Sequence, residues 1–499
     1  MRKEPDVTWY VPIMFLLSML QAFQLFAIGS FGVMPVEVWM ALLFAWMPIY
    51  LLWQGRPLRV PLTSEMALSV AVWGIVLVSC IAPLVSGDAV QAQQAIKTFS
   101  HFTFIWLFFM LLICMQQESV VWTRAMRWYA AATLLIVPFG LYQLPARAFD
   151  WPLAWLSVTN VSFKAKMDQS LEIGQLALQF ANFFRVTSIF SEPSGLAAYV
   201  SIVLAIVIVP IVRKGPGVFV RSWMGPLVVV MCSLALLTAF SLTGIMLTGV
   251  VMILLILIHR ATITRRMVGI LAMAAMIVVG ADVVIKASFD VSVLQLFAMR
   301  IESIITGKAL AKEAGSLVGE SLTQRTGDYT ASYIVWMESP VLGVGPGNFA
   351  FSDFGKTHNQ PYPSSLYASL LAEQGLAGLV IISVFFALMV GVSWRLYMRW
   401  SSLPDLVRRD PVLDAYASVL PFLAAIVMFV SFTGNMFVHA ILWLQIALVM
   451  IGTTNLRRSM GELKTFDIYL VRRPWRELAI ESWKGAKTGP RTERYDTDH

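Results

Sequence analysis

Residues 412–453 read VLDAYASVLPFLAAIVMFVSFTGNMFVHAILWLQIALVMIGT, and their pattern decides the fold. Two apolar runs, each about 18 to 21 residues and so long enough to cross a hydrocarbon core, flank the polar turn Thr433-Gly434-Asn435. Inside a bilayer no water satisfies backbone N–H and C=O groups, so such a run closes its hydrogen bonds within itself as a helix. Joined by so short a turn, the two helices form a hairpin whose free ends share one face. Residues 225–258 repeat the arrangement around Ser241-Leu242-Thr243-Gly244.

Outward from these hairpins the same kind of run recurs about twelve times. The spans fall near 9–30, 36–53, 65–86, 99–116, 128–144, 195–212, 225–240, 243–258, 267–286, 364–394, 412–432 and 436–453. The 364–394 run exceeds one crossing, so it tilts or begins above the membrane. The whole chain of 499 residues is 58% hydrophobic and 13% charged, with a mean hydropathy of +0.73. That leaves too little polar surface for a soluble protein of this length. The fold class is therefore an all-α polytopic membrane protein. The first run is long enough to stay as a helix rather than act as a cleaved signal. Cys80, Cys114 and Cys232 all sit within apolar runs and read as packing residues.

The net charge of +8 does not point to nucleic acid, because the cations fall in short connections. Arg56 and Arg59; Arg124 and Arg127; Arg213, Lys214 and Arg221; Arg260, Arg265 and Arg266; and Arg395, Arg399, Arg408 and Arg409 fill every second connection. By the positive-inside rule these connections and both termini are cytoplasmic, which places 145–194 and 288–363 outside. These segments and the spans make up a membrane domain over 1–453. Residues 454–499 form a basic cytoplasmic tail (Arg457, Arg458, Arg472, Arg473, Arg476) that reads as a surface helix on anionic lipid, with a disordered end.

The two outer segments carry the chemistry. The first ends in Arg185-Val-Thr-Ser-Ile-Phe-Ser-Glu192-Pro193-Ser194-Gly195. Pro193 and Ser194 open a helix whose N-terminus favours negative charge. Arg185 and Glu192 are a cation and an acid at a membrane entrance, read from composition first as an ion pair and a cap. Ahead of them, Leu171 to Phe184 is apolar and is expected to form a helix in the outer interface. The second segment contains Arg300, Arg325, Glu338 and His358. Tyr329, Tyr333 and Trp336 have helical spacing, and Pro340 stops that helix. Gly343, Gly345 and Gly347, followed by Asn348, permit either a tight turn or close approach of a ligand. No Gly-Lys-Ser/Thr and no following helix are expected here, which argues against a P-loop. His358 stands in the outer loop, either as a solvated side chain or as a base. Glu373, with Gly375 and Gly378, lies in the long span, where an acid is costly unless buried against protein. No ligand spacing suggests a metal site.

The order Trp336, Pro340, Gly343, Gly345, Gly347, Asn348, Phe349, then His358-Asn359, then Leu371, Gly375 and Gly378 resembles the O-antigen ligase and polymerase superfamily. The resemblance implies a GT-C-like integral glycosyltransferase at the periplasmic face of the bacterial inner membrane. Its donor and acceptor glycans would ride on undecaprenyl pyrophosphate, with neither metal nor nucleotide sugar required. It implies that Arg325 and Arg185, with Arg300 beside them, bind the pyrophosphate. It implies that His358 takes the acceptor proton, with Glu192 as the rival base, and that Gly343 to Asn348 form an active-site turn. Membrane lipids surround the protein, and the resemblance leaves open whether a chain-length regulator or flippase of the same pathway binds alongside. Ligases often carry Ser-Arg-Ser/Thr at the end of a middle span. Ser241-Leu242-Thr243 lacks that arginine, which favours a polymerase of O-antigen or exopolysaccharide over a ligase. A transporter of lipid-linked glycans is the alternative of another class, opposed by the absence of two similar halves.

Overall fold

The computed structural model describes residues 9–28, 31–54, 57–115, 118–159, 175, 179–180, 183–213, 217–259, 265–306, 317–358, 363–404 and 410–468. Within them the chain is mostly helical, with almost no sheet. The order begins α1 (Tyr10–Ser18), β1 (Phe26–Ile28), β2 (Phe31–Val33), α2 (Pro35–Gln54), β3 (Leu58–Pro61), α3 (Ser64–Ser79), α4 (Ile81–Val85) and α5 (Ala89–Cys114). It continues through α6 (Ser119–Ala131), α7 (Thr133–Ala148), β4 (Gln179–Phe180), β5 (Phe183–Phe184), α8 (Pro193–Val212), α9 (Met224–Ala239), α10 (Leu242–His259) and α11 (Arg265–Phe289). The last part holds α12 (Val293–Thr306), α13 (Leu317–Glu338), α14 (Asp353–His358), α15 (Leu366–Ser402), α16 (Pro411–Val430), α17 (Ala440–Ser459) and β6 (Thr465–Ile468).

Among the described residues, nine helical stretches are long and apolar enough to cross a membrane, and α9 and α10 are shorter apolar helices. The all-α polytopic reading therefore stands, with corrections to the tally of about twelve. The expected span 9–30 yields only the nine-residue α1, because the chain then turns into the antiparallel hairpin Phe26–Ile28 with Phe31–Val33. The expected span 128–144 is the second half of one stretch, Ser119–Ala148. Its neighbour 99–116 starts ten residues early, since Asp88 accepts from the Val90 and Gln91 N–H groups and caps α5 at Ala89. Of the expected helix over Leu171 to Phe184, the described residues 179–180 and 183–184 pair as two short antiparallel strands; 171–174, 176–178 and 181–182 lie outside the described residues. The described part of the segment 288–363 is largely helical, through α12, α13 and α14.

Burial ranks the spans. In α8, α16 and α17 the buried share of the apolar window is 83%, 78% and 89%, against 17% for the window in α11. The first three are helices packed on all sides, and α11 stands at the rim with its apolar side chains outward. Cys80, Cys114 and Cys232 are buried free thiols.

The basic connections gather at one face. Arg59 pairs with Asp467 at 3.6 Å, Arg399 with Glu462 at 3.0 Å, Arg457 with Glu65 at 3.0 Å and Arg213 with Asp414 at 3.3 Å. Arg127 donates to the Val218 carbonyl, and β3 pairs antiparallel with β6. The start of the tail is thus packed on the 58–61 connection, while 469–499 lies outside the described residues. Because the helices alternate in direction, the described residues of 149–192 and 290–365 lie at the opposite face.

Candidate functional site

The glycine stretch is built against a broken helix. Gly375, at φ 67° and ψ −166°, interrupts α15 about two and a half turns after its start at Leu366. A break of this kind strips neighbouring N–H and C=O groups of their helical partners, and buried groups need replacements. The stretch 340–347 supplies them. Val344 N–H donates to the Ala372 carbonyl and Gly345 N–H to that of Glu373, while Leu376 and Ala377 N–H donate to Pro340 and Val341. The Glu373 carboxylate adds a fifth bond, accepting from Gly347 N–H at 2.9 Å.

Gly343, Gly345 and Gly347 have φ of +70°, +95° and +75°, a region that side chains resist. Each also faces protein at a range that excludes a Cβ. At Gly343 it would meet the Glu373 carbonyl carbon at 2.3 Å, at Gly345 the Pro83 ring at 2.5 Å, and at Gly347 Thr98 Oγ1 at 2.3 Å. The closely approaching groups are therefore α15, α4 and α5. Asn348 is buried, with Nδ2 on the Gln91 carbonyl at 3.1 Å and Oδ1 without a hydrogen-bond partner. Gln91 Nε2 returns a bond to the Phe351 carbonyl.

The sequence reading missed the α5 side of this joint. Gln91, Gln94, Thr98 and His101 follow helical spacing along one stripe of α5, and the stripe was legible once the helix was begun at Asp88. His101 Nε2 meets Glu37 Oε1 at 2.7 Å, and Glu37 Oε2 accepts Met34 N–H, capping α2 from within.

A helix does follow the glycine turn, contrary to expectation: residues 349–351 form a 3-10 turn and α14 runs to His358. His358 is thus the last residue of a short helix rather than part of an extended loop. Its ring is exposed, stacks on Phe354 at 4.1 Å and places Nδ1 3.1 Å from the Phe354 carbonyl. A carbonyl only accepts, so the neutral ring carries its proton on Nδ1 and its lone pair on Nε2. Glu338, at the end of α13, lies against the N-terminus of α14. Burial and then Asp353 raise its carboxyl above the ordinary value of 4.5, with bonds from the Phe354 and Asp353 N–H groups and Lys356 opposing.

Arg300 lies in α12 and Arg325 in α13, and their side chains are outside the described residues. One turn beyond Arg325, the sequence reading overlooked Asp328. This buried carboxylate accepts from the N–H and the hydroxyl of Ser364, and Tyr329 bonds Ser365 at 2.9 Å, so α13 is fastened to the start of α15.

Arg185 and Glu192 sit on another group of helices. Glu192 is the exposed N-cap residue of α8 and makes no side-chain cap bond; Pro193 opens the helix as its sequence position requires. Arg185 is buried, its Nε donating to the Ala239 carbonyl at the end of α9 at 2.9 Å. The segment is held by Arg147 of α7, also missed from sequence. Arg147 donates to the carbonyls of Ala154 and Arg185, to Gln175 Oε1 and to Thr187 Oγ1, with its guanidinium 4.2 Å over Trp155. The structure thus brings Gly343, Gly345, Gly347, Asn348 and Glu373 into one joint. It sets Arg185 and Glu192 at the same face, on α7, α8 and α9. Among the described residues no three His, Cys, Asp or Glu side chains converge as metal ligands.

No curated protein matches the chain significantly. Residues 227–383 match the family model described as O-antigen ligase, a stretch running from within α9 through the glycine joint to the middle of α15. That stretch, under a third of the chain, is similar to the O-antigen ligase family, a likeness that does not separate ligase from polymerase.

Proposed function

We propose that this chain is an inverting glycosyltransferase that joins undecaprenyl-pyrophosphate-linked oligosaccharide repeats into O-antigen or exopolysaccharide at the periplasmic face of the inner membrane. The observation that carries the reading is the family match across the glycine joint, on the face opposite the clustered arginines. The positive-inside rule makes that face external, where lipid-linked donors are available and cytosolic nucleotide sugars are not.

The chemistry follows from the residue types. Arg185 and Arg325, with Arg300, hold the donor pyrophosphate through guanidinium forks and stabilise charge as the sugar–phosphate bond breaks. The acceptor hydroxyl attacks the anomeric carbon from the opposite side. His358 accepts its proton at Nε2, the nitrogen left open by the Phe354 contact. Glu192, exposed at the α8 entrance, is the rival base.

Leu242, the first residue of α10, stands where ligases often carry arginine, and this favours the polymerase. The description of the matching family favours the second reading, a ligase moving the finished glycan to lipid A core or a protein. The glycan profile of a deletion strain distinguishes them. A lost polymerase leaves single repeats; a lost ligase leaves full-length chains on the lipid carrier. Purified protein given a lipid-linked repeat should elongate it without added energy, and failure to elongate or transfer would remove the glycosyltransferase reading.

A further inference from the structure

The Arg185 segment lies among residues held at positive φ. Among the described residues five non-glycine positions have positive φ: Asp150, Leu153, Ser188, Phe240 and Asp290. Four of them surround Arg185. Ser188 lies three residues on, and Phe240 follows the Ala239 carbonyl to which Arg185 Nε donates. Asp150 and Leu153 shape the turn whose Ala154 carbonyl accepts from Arg147. Strained backbone of this kind persists only where surrounding contacts over-determine it, and it concentrates where geometry serves function.

The contacts that impose it are buried and polar. Arg147 Nη1 donates to the Arg185 carbonyl at 2.6 Å and Nη2 to the Thr187 hydroxyl at 2.6 Å, so the residues on either side of Val186 are gripped by one guanidinium. Gln143 takes both backbone groups of Ser188, accepting its N–H at 2.8 Å and donating to its carbonyl at 3.2 Å. Ser188 Oγ reaches the Ile136 carbonyl, and Val186 N–H reaches that of Thr238. Gly140 leaves room for this strand to press onto α7, where a Cβ would lie 2.6 Å from Val186 Cγ1. A buried arginine whose donors go to backbone carbonyls, a hydroxyl and an amide is set to fix shape. None of its bonds shown here is to a carboxylate.

We propose that Arg147 is a positioning residue: it fixes the backbone at Arg185 to Ser188 so that the Arg185 guanidinium meets a lipid-linked pyrophosphate in one orientation. Arg147 itself touches no substrate. The inference rests on Arg185 as a donor-phosphate ligand, and the test separates the two.

The full chain in nanodiscs is titrated with undecaprenyl pyrophosphate, comparing Arg185→Lys with Arg147→Lys and Thr187→Val, each of the last two made both alone and in the Arg185→Lys background. Lysine at 147 cannot span the Arg185 carbonyl, Thr187 and Gln175 together, so affinity should fall about tenfold with the protein still folded. Thr187→Val removes one bond and should weaken binding several-fold. Each loss should vanish in the Arg185→Lys background, since residues acting through one another are non-additive. Equal losses in both backgrounds overturn the proposal, as does unchanged affinity in folded Arg147→Lys. Normal affinity in Arg185→Lys alone removes the underlying reading of Arg185, and the proposal with it. If Arg147→Lys does not fold, Thr187→Val decides by the same comparison.

Discussion

Replacing Gly343 with alanine sets a methyl group into the joint between the glycine turn and broken α15. At φ +70° a residue with a Cβ pays about 1–2 kcal/mol in backbone strain. The new atom would lie 2.3 Å from the Glu373 carbonyl carbon and 2.6 Å from Gln374 N, both backbone, so no side-chain rotation relieves the overlap. Forcing the segments apart costs a further amount of about 1–3 kcal/mol, as overpacking does elsewhere. Separation also lengthens the bonds from Val344 and Gly345 to the Ala372 and Glu373 carbonyls, at about 1 kcal/mol in all. The total of about 3–6 kcal/mol corresponds to a loosening of about 150- to 20,000-fold in the local opening equilibrium. Hydrogen exchange on the purified protein, read at peptides covering 340–347 and 372–378, measures it directly. Gly74→Ala is the control: nothing lies within 4 Å of its Cβ, and alanine inside a helix should gain about 0.5–1 kcal/mol. Exchange at 344 and 345 within threefold of wild type in Gly343→Ala would refute the joint.

Four further outcomes follow from the same contacts. His358→Ala should lower chain growth about 100- to 10,000-fold at unchanged protein level, since the ring is exposed and, among the described residues, bonds a carbonyl of its own helix; near-normal polymer would remove it as the base. Arg325→Lys should fail as well, because a point charge does not replace a bidentate fork, and full activity in complemented cells would mean the site needs none. Glu37→Ala removes both the α2 cap and a bond to His101, and should cost about 2–4 kcal/mol in a chemical-denaturation series. If Glu37→Gln, which keeps an acceptor, is as damaging, the cap is not the reason. Glu338 has a carboxyl held above its ordinary value, so its protonated form is favoured in the fold. Its stabilising contribution is complete below pH 4.5 and disappears as pH rises through the folded value. Glu338→Gln should flatten that part of the melting-temperature profile, and an unchanged profile would exclude the contact.

The sequence by itself determined the features that the bilayer or a local rule imposes. Apolar run length gives a helix because lipid offers no partner for the backbone, and Pro193 and Pro340 mark a start and a stop because proline lacks an N–H. The alternation of arginines sorted the connections, and the ion pairs Arg59–Asp467, Arg399–Glu462 and Arg213–Asp414 gather them at one face. The glycines at 343, 345 and 347 announced unusual backbone. What they approach was decided only by the tertiary structure. The same composition serves a ligand-hugging loop and a helix joint, and the choice rests on residues such as Pro83, Thr98 and Glu373, distant in sequence. Arg147 was invisible for a like reason: its partners lie 7 to 40 residues away, and a lone arginine at a helix end reads as a surface charge. The polar stripe of α5 was hidden by polarity itself, which trimmed the expected helix to its apolar part. Only contact with Asn348, Phe351 and Glu37 shows why those side chains are tolerated there.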